Sequence, residues 1–453
     1  MTKVRPALLR GFDQEYLPQD QLAFNRLVEI IRTNFERFGF LPIETPSAER
    51  TEVLTSKGVV EKEIYALRRL AADPHDEAST KGALRFDLTV PLARYVAMRQ
   101  RELAFPFRRY QIQRVWRGET PQARKGRFRE FYQCDIDIIN RETLSYLAEA
   151  EIPSVIYNVF EKMNIGAFRI RINNRKVLKG LLQTFNVSDQ ASAAVLRTLD
   201  KIDKENKTTI LDGLERARLS KNTARQLYEL LSGKRTTDET IDVLERFPSQ
   251  NELLEKGLAE LKKVVSGIRQ FGVPDSVFGV DLSVIRGLDY YTGTIYETSL
   301  VDHPEVGSIC SGGRYDDLAT HFTNTKLPGV GISIGLTRLF SKLKEIGRLQ
   351  PAIRTPAEAF IATLESQYLE RYISLAGVLR KAGINTEVYL EQAKLDKQLS
   401  YADKKGFRVA LIAGQTEFDN HVVQIKDLRA MTATKCPIED VAAAVKESLD
   451  LGH

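Results

Sequence analysis

The sequence predicts an α+β fold, in which a domain built on antiparallel strands contains a helical insertion and is followed by a small α/β domain. Three observations lead to this prediction. Residues 107–117 and 129–139 have alternating apolar side chains and are joined by a loop rich in Gly, Pro, Arg and Lys, as in a long antiparallel hairpin. Between about 187 and 271 strand signals vanish and charged helical runs such as 252–268 dominate. After residue 355, short apolar strands alternate with helical patterns.

Composition limits the class of protein. The chain has 453 residues, enough for roughly three domains of about 150 residues each. Hydrophobic residues make up 43% and charged residues 28%, which excludes a wholly disordered or collagen-like chain. No apolar run approaches the roughly 18 residues of a membrane span, and residues 1–6 lack the apolar stretch of a signal peptide. We therefore expect a cytoplasmic protein that does not bind a membrane.

The cysteines, the histidines and the net charge limit further which classes of protein the sequence can belong to. None of the three cysteines is in a CxxC pair, and the five histidines do not fall at metal-ligand spacing. The sequence therefore supports neither a disulfide framework nor a metal site made by protein side chains. A net charge of +6 is compatible with a polyanionic partner such as RNA or a nucleotide but does not require one.

The elements of the first domain follow in chain order. After Asp20, a suitable N-cap, apolar residues recur at helical spacing from 22 to 38, and the pattern ends at Gly39. Residues 84–88 alternate as in a strand, and Pro91 opens another helix. Strand-like runs also lie at 280–285, 290–298 and 330–334.

The last domain follows a linker, 348–356, that contains two prolines. We expect a first domain over 1–347, a helical insertion over 187–271 and a last domain over 355–453. Within the last domain, strands are expected at 359–364, 386–390 and 409–413, and helices at 367–382 and 393–405.

The hairpin is the segment richest in candidate binding residues. Because residues of equal parity on a strand point to one face, Phe131, Gln133 and Asp137 share a face that offers an aromatic ring, an amide and a carboxylate. The loop adds four cations that can bind phosphate: Arg124, Lys125, Arg127 and Arg129. An aromatic ring beside guanidinium groups suits a purine triphosphate or RNA. A solvated charged loop is the alternative.

Three other segments carry polar residues in unusual places. Arg286 follows an apolar strand, so it needs either an anion or a partner such as Asp289. Asp87 and Thr89 share a strand face, where they either bind a ligand or make a turn. In 329–338, Gly and Ser alternate with Val and Ile, which leaves one strand face nearly bare before Arg338 in the first turn of a helix, a position that favours anions. This segment matches neither a P-loop nor a dinucleotide-binding fingerprint.

Together these segments resemble the histidyl-tRNA synthetase family. The hairpin is similar to motif 2 of class II aminoacyl-tRNA synthetases, 39–46 to their dimer-forming motif 1 and 329–338 to motif 3. Residues 286–293 and 312–316 resemble the two signatures peculiar to histidyl-tRNA synthetases. The resemblance extends into the tail, where 397–405 and 423–428 look like that family's anticodon-binding domain.

The resemblance implies a reaction and a role for each site residue. The reaction is ATP-dependent ligation of L-histidine to tRNA(His) through a histidyl-adenylate, with release of AMP and diphosphate, and it uses Mg²⁺ but no prosthetic group. Arg117 would bridge the histidine carboxylate and the α-phosphate, and Arg286 would face the α-phosphate from the other side. Arg127 and Arg338 would hold the β- and γ-phosphates, Glu119 would bind the adenine amino group, Phe131 would stack on adenine, Asp87-Leu88-Thr89 would bind the α-amino group, and Gln133, Asp137, Tyr290 and Tyr291 would line the amino-acid pocket.

Two departures from the family pattern stand out. Thr337 occupies the position of the usual glutamate in motif 3, and 86–91 follows the eukaryotic and archaeal version of the substrate loop.

Two other interpretations of the sequence differ in the function that they assign. A non-catalytic paralogue, such as the synthetase-like regulatory subunit of ATP phosphoribosyltransferase, generally lacks the tail and the ATP-binding arginines that are present here. A generic RNA-binding module does not explain Asp87 and Asp137. The apolar helix that leads into motif 1 predicts a homodimer.

Overall fold

The computed structural model describes residues 5–12, 14–56, 63–71, 81–122, 126–248, 250–285, 291–317, 319–349 and 354–450. It divides into two compact units. The first comprises Met1–Gln14 and Leu27–Arg348, and the second comprises Glu15–Arg26 and Leu349–His453. No helix in the described part of the chain is both long and apolar enough to span a membrane.

An eight-stranded sheet is the centre of the first unit. Its strands run in the order β1-β5-β6-β11-β10-β9-β7-β8, and a smaller sheet has the order β2-β4-β3. In the large sheet every neighbouring pair is antiparallel except β1–β5 and β7–β8. The strands are β1 (Leu41–Pro42), β2 (Ala48–Arg50), β3 (Ala66–Leu67), β4 (Gly82–Leu84), β5 (Phe107–Trp116), β6 (Glu130–Ile139), β7 (Phe168–Asn174), β8 (Phe278–Val280), β9 (Thr294–Leu300), β10 (Ser308–Tyr315) and β11 (Gly329–Gly335).

Helices precede, connect and follow these strands, and the segment between β7 and β8 is helical. Five of them, α6 to α10, begin directly after Ser188, Asn206, Ser220, Thr236 and Asn251, whose side chains each accept a hydrogen bond from a backbone N–H of the first turn. The helices are α1 (Pro18–Arg37), α2 (Thr51–Thr55), α3 (Thr89–Arg99), α4 (Tyr146–Met163), α5 (Arg175–Thr184), α6 (Asp189–Leu199), α7 (Lys207–Arg216), α8 (Lys221–Ser232), α9 (Thr237–Glu245), α10 (Glu252–Gln270) and α11 (Leu336–Glu345).

The second unit contains a five-stranded sheet with the order β13-β12-β14-β15-β16. β12 is parallel to both of its neighbours, and the remaining pairs are antiparallel. Its elements are β12 (Ala359–Ile361), α12 (Leu369–Lys381), β13 (Thr386–Val388), α13 (Leu395–Lys405), β14 (Val409–Ile412), α14 (Gln415–Asp419), β15 (Val422–Asp427), β16 (Thr432–Pro437) and α15 (Val441–Asp450).

Three local predictions were wrong. The strand expected at 280–285 stops at Val280, because the side chain of Asp281 accepts hydrogen bonds from the backbone and hydroxyl of Ser283 and turns the chain. The alternating run after residue 84 is not a strand beyond Leu84. The first helix begins at Pro18, so Asp20 lies in its first turn instead of capping it.

Candidate active site

The hairpin β5–β6 forms one wall of a cavity of about 450 Å³, a size typical of small-molecule sites. It is lined by all five residues to which the family resemblance gives an ATP-binding role. They are Arg117, Glu119, Arg127, Phe131 and Arg338. The other walls come from the start of β10, from β11 and from the start of α11. The structure therefore brings segments far apart in sequence to one concave surface.

Cationic and aromatic groups meet in this cavity. The guanidinium carbon of Arg117 lies 5.1 Å from the ring centre of Phe131, and its Nε donates to the carbonyl of Phe86 at 3.0 Å. Arg117 and Arg127 each lie 4.0 Å from a carboxylate oxygen of Glu119. Charge-assisted hydrogen bonds are about 2.7–2.9 Å long, so these contacts are loose enough for a phosphate to replace them.

The loop of the hairpin approaches Arg338 closely. Gly126 has a φ of +64°, and a Cβ there would lie 2.6 Å from Cγ of Arg338, so this position needs glycine. Arg124 and Lys125 lie outside the described residues. Arg129 is not among the residues that line the cavity, because its Nε donates to the carbonyl of Glu119 and its side chain packs against Gly11.

Thr337 anchors the helix that carries Arg338. Its buried hydroxyl accepts a hydrogen bond from the backbone N–H of Tyr132 at 2.8 Å and so joins the start of α11 to β6. Nη2 of Arg338 donates to the carbonyl of Val306 at 2.6 Å. The threonine that departs from the family pattern therefore has a structural role in positioning this arginine.

Glu63 is a cavity residue that the sequence analysis missed. Its carbonyl accepts a hydrogen bond from the N–H of Gly118 at 2.8 Å. Burial, and then the nearby carboxylate of Glu119, raise the pKa of Glu63. No sequence signal marked this segment, because its position depends on the hairpin that it contacts.

A second, smaller pocket of about 30 Å³ adjoins the first at Ser333, which lines both. Gln133 lines the larger cavity, and its Nε2 donates to the hydroxyl of Ser333 at 2.7 Å. The smaller pocket contains two carboxylates and two tyrosines. It is lined by Thr89, Asp135, Asp137, Tyr291, Tyr315, Gly331, Ile332 and Ser333.

Asp137 is held firmly by its neighbours. It forms an ion pair with Arg109 of β5, and the hydroxyl of Tyr315 donates to its Oδ1 at 2.7 Å. Burial raises the pKa of Asp137 to about 6. Opposite it on β11 stands Gly331, where a Cβ would lie 2.1 Å from Oδ1 of Asp137. The bare strand face that the sequence predicted therefore leaves room for a carboxylate.

Asp135 is the second carboxylate of this pocket, and burial raises its pKa to about 7. The sequence analysis missed it, although it has the same strand parity as Gln133 and Asp137. Arg109 and Tyr315 were missed as well. Their contacts depend on strand register, whereas the parity of Asp135 was a usable signal.

Asp87, which is predicted to bind the α-amino group of the substrate, also makes a hydrogen bond within the fold. Oδ1 of Asp87 accepts a hydrogen bond from the N–H of Val90 at 3.1 Å, at the start of α3. Leu88 is fully buried, and Thr89 lines the smaller pocket. The structural alternative for Asp87, a turn-type hydrogen bond at the start of the helix, is therefore present in the fold. Arg286 and Tyr290 lie outside the described residues.

Comparison with known protein families identifies the family to which the chain belongs. A family described as histidyl-tRNA synthetase matches residues 13–339, and one described as anticodon binding domain matches residues 358–448. The chain belongs to the histidyl-tRNA synthetase family. The family suggested by the sequence motifs is thus confirmed.

Individual members of the histidyl-tRNA synthetase family are similar along the whole chain. A histidine–tRNA ligase of Xylella fastidiosa (strain M12) is 44% identical and aligns with 96% of this chain and 97% of its own. The crystal structure of histidyl-tRNA synthetase from Nostoc sp. PCC 7120 superposes with a TM-score of 0.90 at 38% identity and covers 98% of this chain and 100% of its own. The predicted class II fold with a separate α/β domain is therefore confirmed.

A structure described as an ATP phosphoribosyltransferase regulatory subunit/histidyl-tRNA synthetase from Bacillus halodurans also superposes, with a TM-score of 0.70. It is 22% identical and covers 86% of this chain and 94% of its own. At that identity the likeness concerns the fold alone. It does not favour a regulatory role over a catalytic one.

Proposed function

We propose that this chain is an ATP-dependent histidine–tRNA ligase, which joins L-histidine to tRNA(His) through a histidyl-adenylate and releases AMP and diphosphate. One observation carries the proposal. A cavity that combines Arg117, Arg127 and Arg338 with the ring of Phe131 adjoins, at Ser333, a pocket containing two carboxylates. A nucleotide and an amino acid bound in the two pockets would meet where they join.

Arginines perform the central task of this reaction. Attack of a carboxylate on the α-phosphate brings two anions together, and preorganised guanidinium groups offset that repulsion and stabilise the transition state. Arg117 is proposed to bridge the two anions and Arg286 to face the α-phosphate. Arg127 and Arg338 are proposed to hold the β- and γ-phosphates.

The adenine has its own partners in the proposal. Phe131 stacks on the base, and Glu119 accepts a hydrogen bond from its amino group. Mg²⁺ is proposed to arrive with ATP.

Histidine is proposed to bind near Ser333, where the smaller pocket adjoins the larger cavity. Its α-amino group would bind Asp87, Leu88 and Thr89, and its carboxylate would bind Arg117 and Arg286. The pocket for its side chain would be lined by Gln133, Asp137, Tyr290 and Tyr291.

We propose that residues 1–347 form the catalytic domain, with a helical insertion at 187–271, and that 355–453 bind the anticodon of tRNA(His). The family matches at 13–339 and 358–448 support this division, and so does the boundary between the compact units at Arg348 and Leu349, although Glu15–Arg26 belong to the second unit. A cytoplasmic location and a homodimer formed through motif 1 stay predictions. Exposed Leu41 in that motif supports the dimer, and a monomeric mass by light scattering at micromolar concentration would contradict it.

Histidine-dependent exchange of labelled pyrophosphate into ATP tests the proposal, followed by charging of tRNA(His). Arg117→Ala should lower the exchange rate by about 10²–10³, the loss expected for a transition-state donor. Arg114→Ala is the matched control, because Arg114 lies on the same hairpin, is about half exposed (48%) and does not line the cavity. A wild-type protein that binds histidine but exchanges no pyrophosphate would instead indicate a non-catalytic paralogue.

A further inference from the structure

Asp135 is a buried carboxylate to which the reaction proposed above assigns no role. β6 places it between Gln133 and Asp137 on one strand face, and it lines the smaller pocket together with Asp137. It lies opposite Ser333 of β11 and is only 2% exposed. Charged groups are seldom buried to this degree unless they are paired or bind a ligand.

The two carboxylates of the pocket differ in their partners. Asp137 accepts a hydrogen bond from Tyr315 and forms an ion pair with Arg109. Asp135 interacts with the hydroxyl of Ser333, whereas no donor in the described part of the chain reaches its Oδ1. A buried acceptor without a donor is costly, so native proteins contain few of them. Oδ1 of Asp135 is therefore suited to accept a hydrogen bond from a ligand.

Two aromatic rings and a bare strand face lie around the pocket that Asp135 lines. Tyr291 and Tyr315 line the same pocket, and Gly331 contributes no side chain on the β11 side. The Tyr291 ring packs closely against Gly313, where a Cβ would lie 2.8 Å from ring atoms. An imidazole fits these groups chemically, because it carries one N–H when neutral and two when protonated.

The charge balance also favours a ligand that donates hydrogen bonds. Burial is the main cause that raises the pKa of Asp135, and the guanidinium of Arg109 offsets only part of it, while the carboxylates of Asp137 and Asp87 add smaller increases. A ligand N–H that binds Oδ1 would favour the ionised carboxylate. Binding of such a ligand would therefore stabilise the charged form of the Asp135 carboxylate.

We propose that Asp135 is a second carboxylate that recognises histidine, and that its Oδ1 accepts a hydrogen bond from a ring N–H. Asp135 then determines amino-acid specificity together with Asp137. This inference rests on the proposed function, because it takes histidine as the amino-acid substrate.

Pyrophosphate exchange by Asp135→Asn, with two amino acids, tests the inference. Histidine has a ring N–H, whereas thiazolylalanine keeps a ring nitrogen as acceptor but has no ring N–H. In the variant, kcat/KM for histidine should fall about 10- to 100-fold, the loss expected for one hydrogen bond to a charged group. For thiazolylalanine it should change less than about 3-fold, and the KM for ATP should stay near the wild-type value. If Asp135 had a purely structural role, the variant would lower kcat/KM for both amino acids by the same factor.

Thr298→Val is the matched control, because Thr298 is a buried polar residue of β9 whose hydroxyl also has no hydrogen-bond partner in the described part of the chain. It should leave the ratio of the two kcat/KM values unchanged. If the ratio of the two kcat/KM values were also unchanged in Asp135→Asn, the inference about Asp135 would be overturned but the proposed function would not. If the wild type showed no histidine-dependent exchange, both would be overturned. If Asp135→Asn does not fold, a crystal structure of the wild type with histidine decides. Separation of Oδ1 from both ring nitrogens by more than about 3.5 Å would contradict the inference.

Discussion

Arg109 of β5 and Asp137 of β6 lie directly opposite each other in the hairpin and form an ion pair that is shielded from solvent. The arginine is 0% exposed and the aspartate 4%. Tyr315 binds the other carboxylate oxygen of Asp137 at 2.7 Å. The carboxylate is therefore oriented by the protein before any substrate arrives, so its substitution affects both stability and recognition.

We expect Arg109→Met to lower the free energy of unfolding by about 3–5 kcal/mol, because it leaves the carboxylate of Asp137 buried without its counter-charge. The double variant Arg109→Met/Asp137→Leu should recover most of this loss, since two apolar side chains can replace a buried ion pair. It should not recover histidine-dependent exchange. Urea denaturation measures the stability of each variant. A single variant as stable as the wild type would show that the pair contributes nothing.

The stability of the protein should depend on pH through Asp135. Burial raises its pKa in the folded state to about 7, well above the value of about 3.9 in an unfolded chain. Its contribution to stability is therefore fully present below about pH 4 and is lost as the pH rises through about 7. Between pH 6 and pH 8 the free energy of unfolding should fall by about 1 kcal/mol more in the wild type than in Asp135→Asn. Equal pH slopes in urea denaturation would contradict this.

The sequence predicted the parts of the site that depend on local pattern. Alternation located β5 and β6, and the resemblance to the histidyl-tRNA synthetase family assigned to ATP five residues that all line the larger cavity. It did not predict the partners of Asp137. Arg109 reaches it through strand register, and Tyr315 reaches it from β10, so both contacts arise only when the sheet has formed.

One failure of prediction has a local physical cause. The strand expected at 280–285 ends early, because the Asp281 side chain forms hydrogen bonds with Ser283 that compete with strand pairing. For Asp87 the sequence left both a ligand contact and a turn open. One of its oxygens accepts a hydrogen bond from the backbone at the start of α3, and the ligand contact stays a prediction.

Thr337 should influence ATP binding without touching ATP. We expect Thr337→Val to raise the KM for ATP, because the N–H of Tyr132 would lose its acceptor and the start of α11, which carries Arg338, would shift. An unsatisfied buried donor costs about 1–3 kcal/mol, which should also appear in the free energy of unfolding. Thr337→Ser keeps the hydroxyl and is the matched control. Equal kinetics in the valine and serine variants would show that the hydrogen bond does not position the arginine.

Gly331 should tolerate no side chain, in contrast to Gly335 on the same strand face. A Cβ at Gly331 would lie 2.1 Å from Oδ1 of Asp137 and 2.4 Å from the carbonyl oxygen of Ile136, whereas one at Gly335 would meet nothing within 4 Å. We expect Gly331→Ala to lower the free energy of unfolding by about 1–3 kcal/mol, as overpacking does, and to raise the KM for histidine far more than that for ATP. Gly335→Ala should stay within about 0.5 kcal/mol of the wild type, since its backbone is not in the left-handed region. Urea denaturation and pyrophosphate exchange measure both effects. If the two alanine variants behaved alike, close approach of Asp137 to β11 could not be the reason for glycine at position 331.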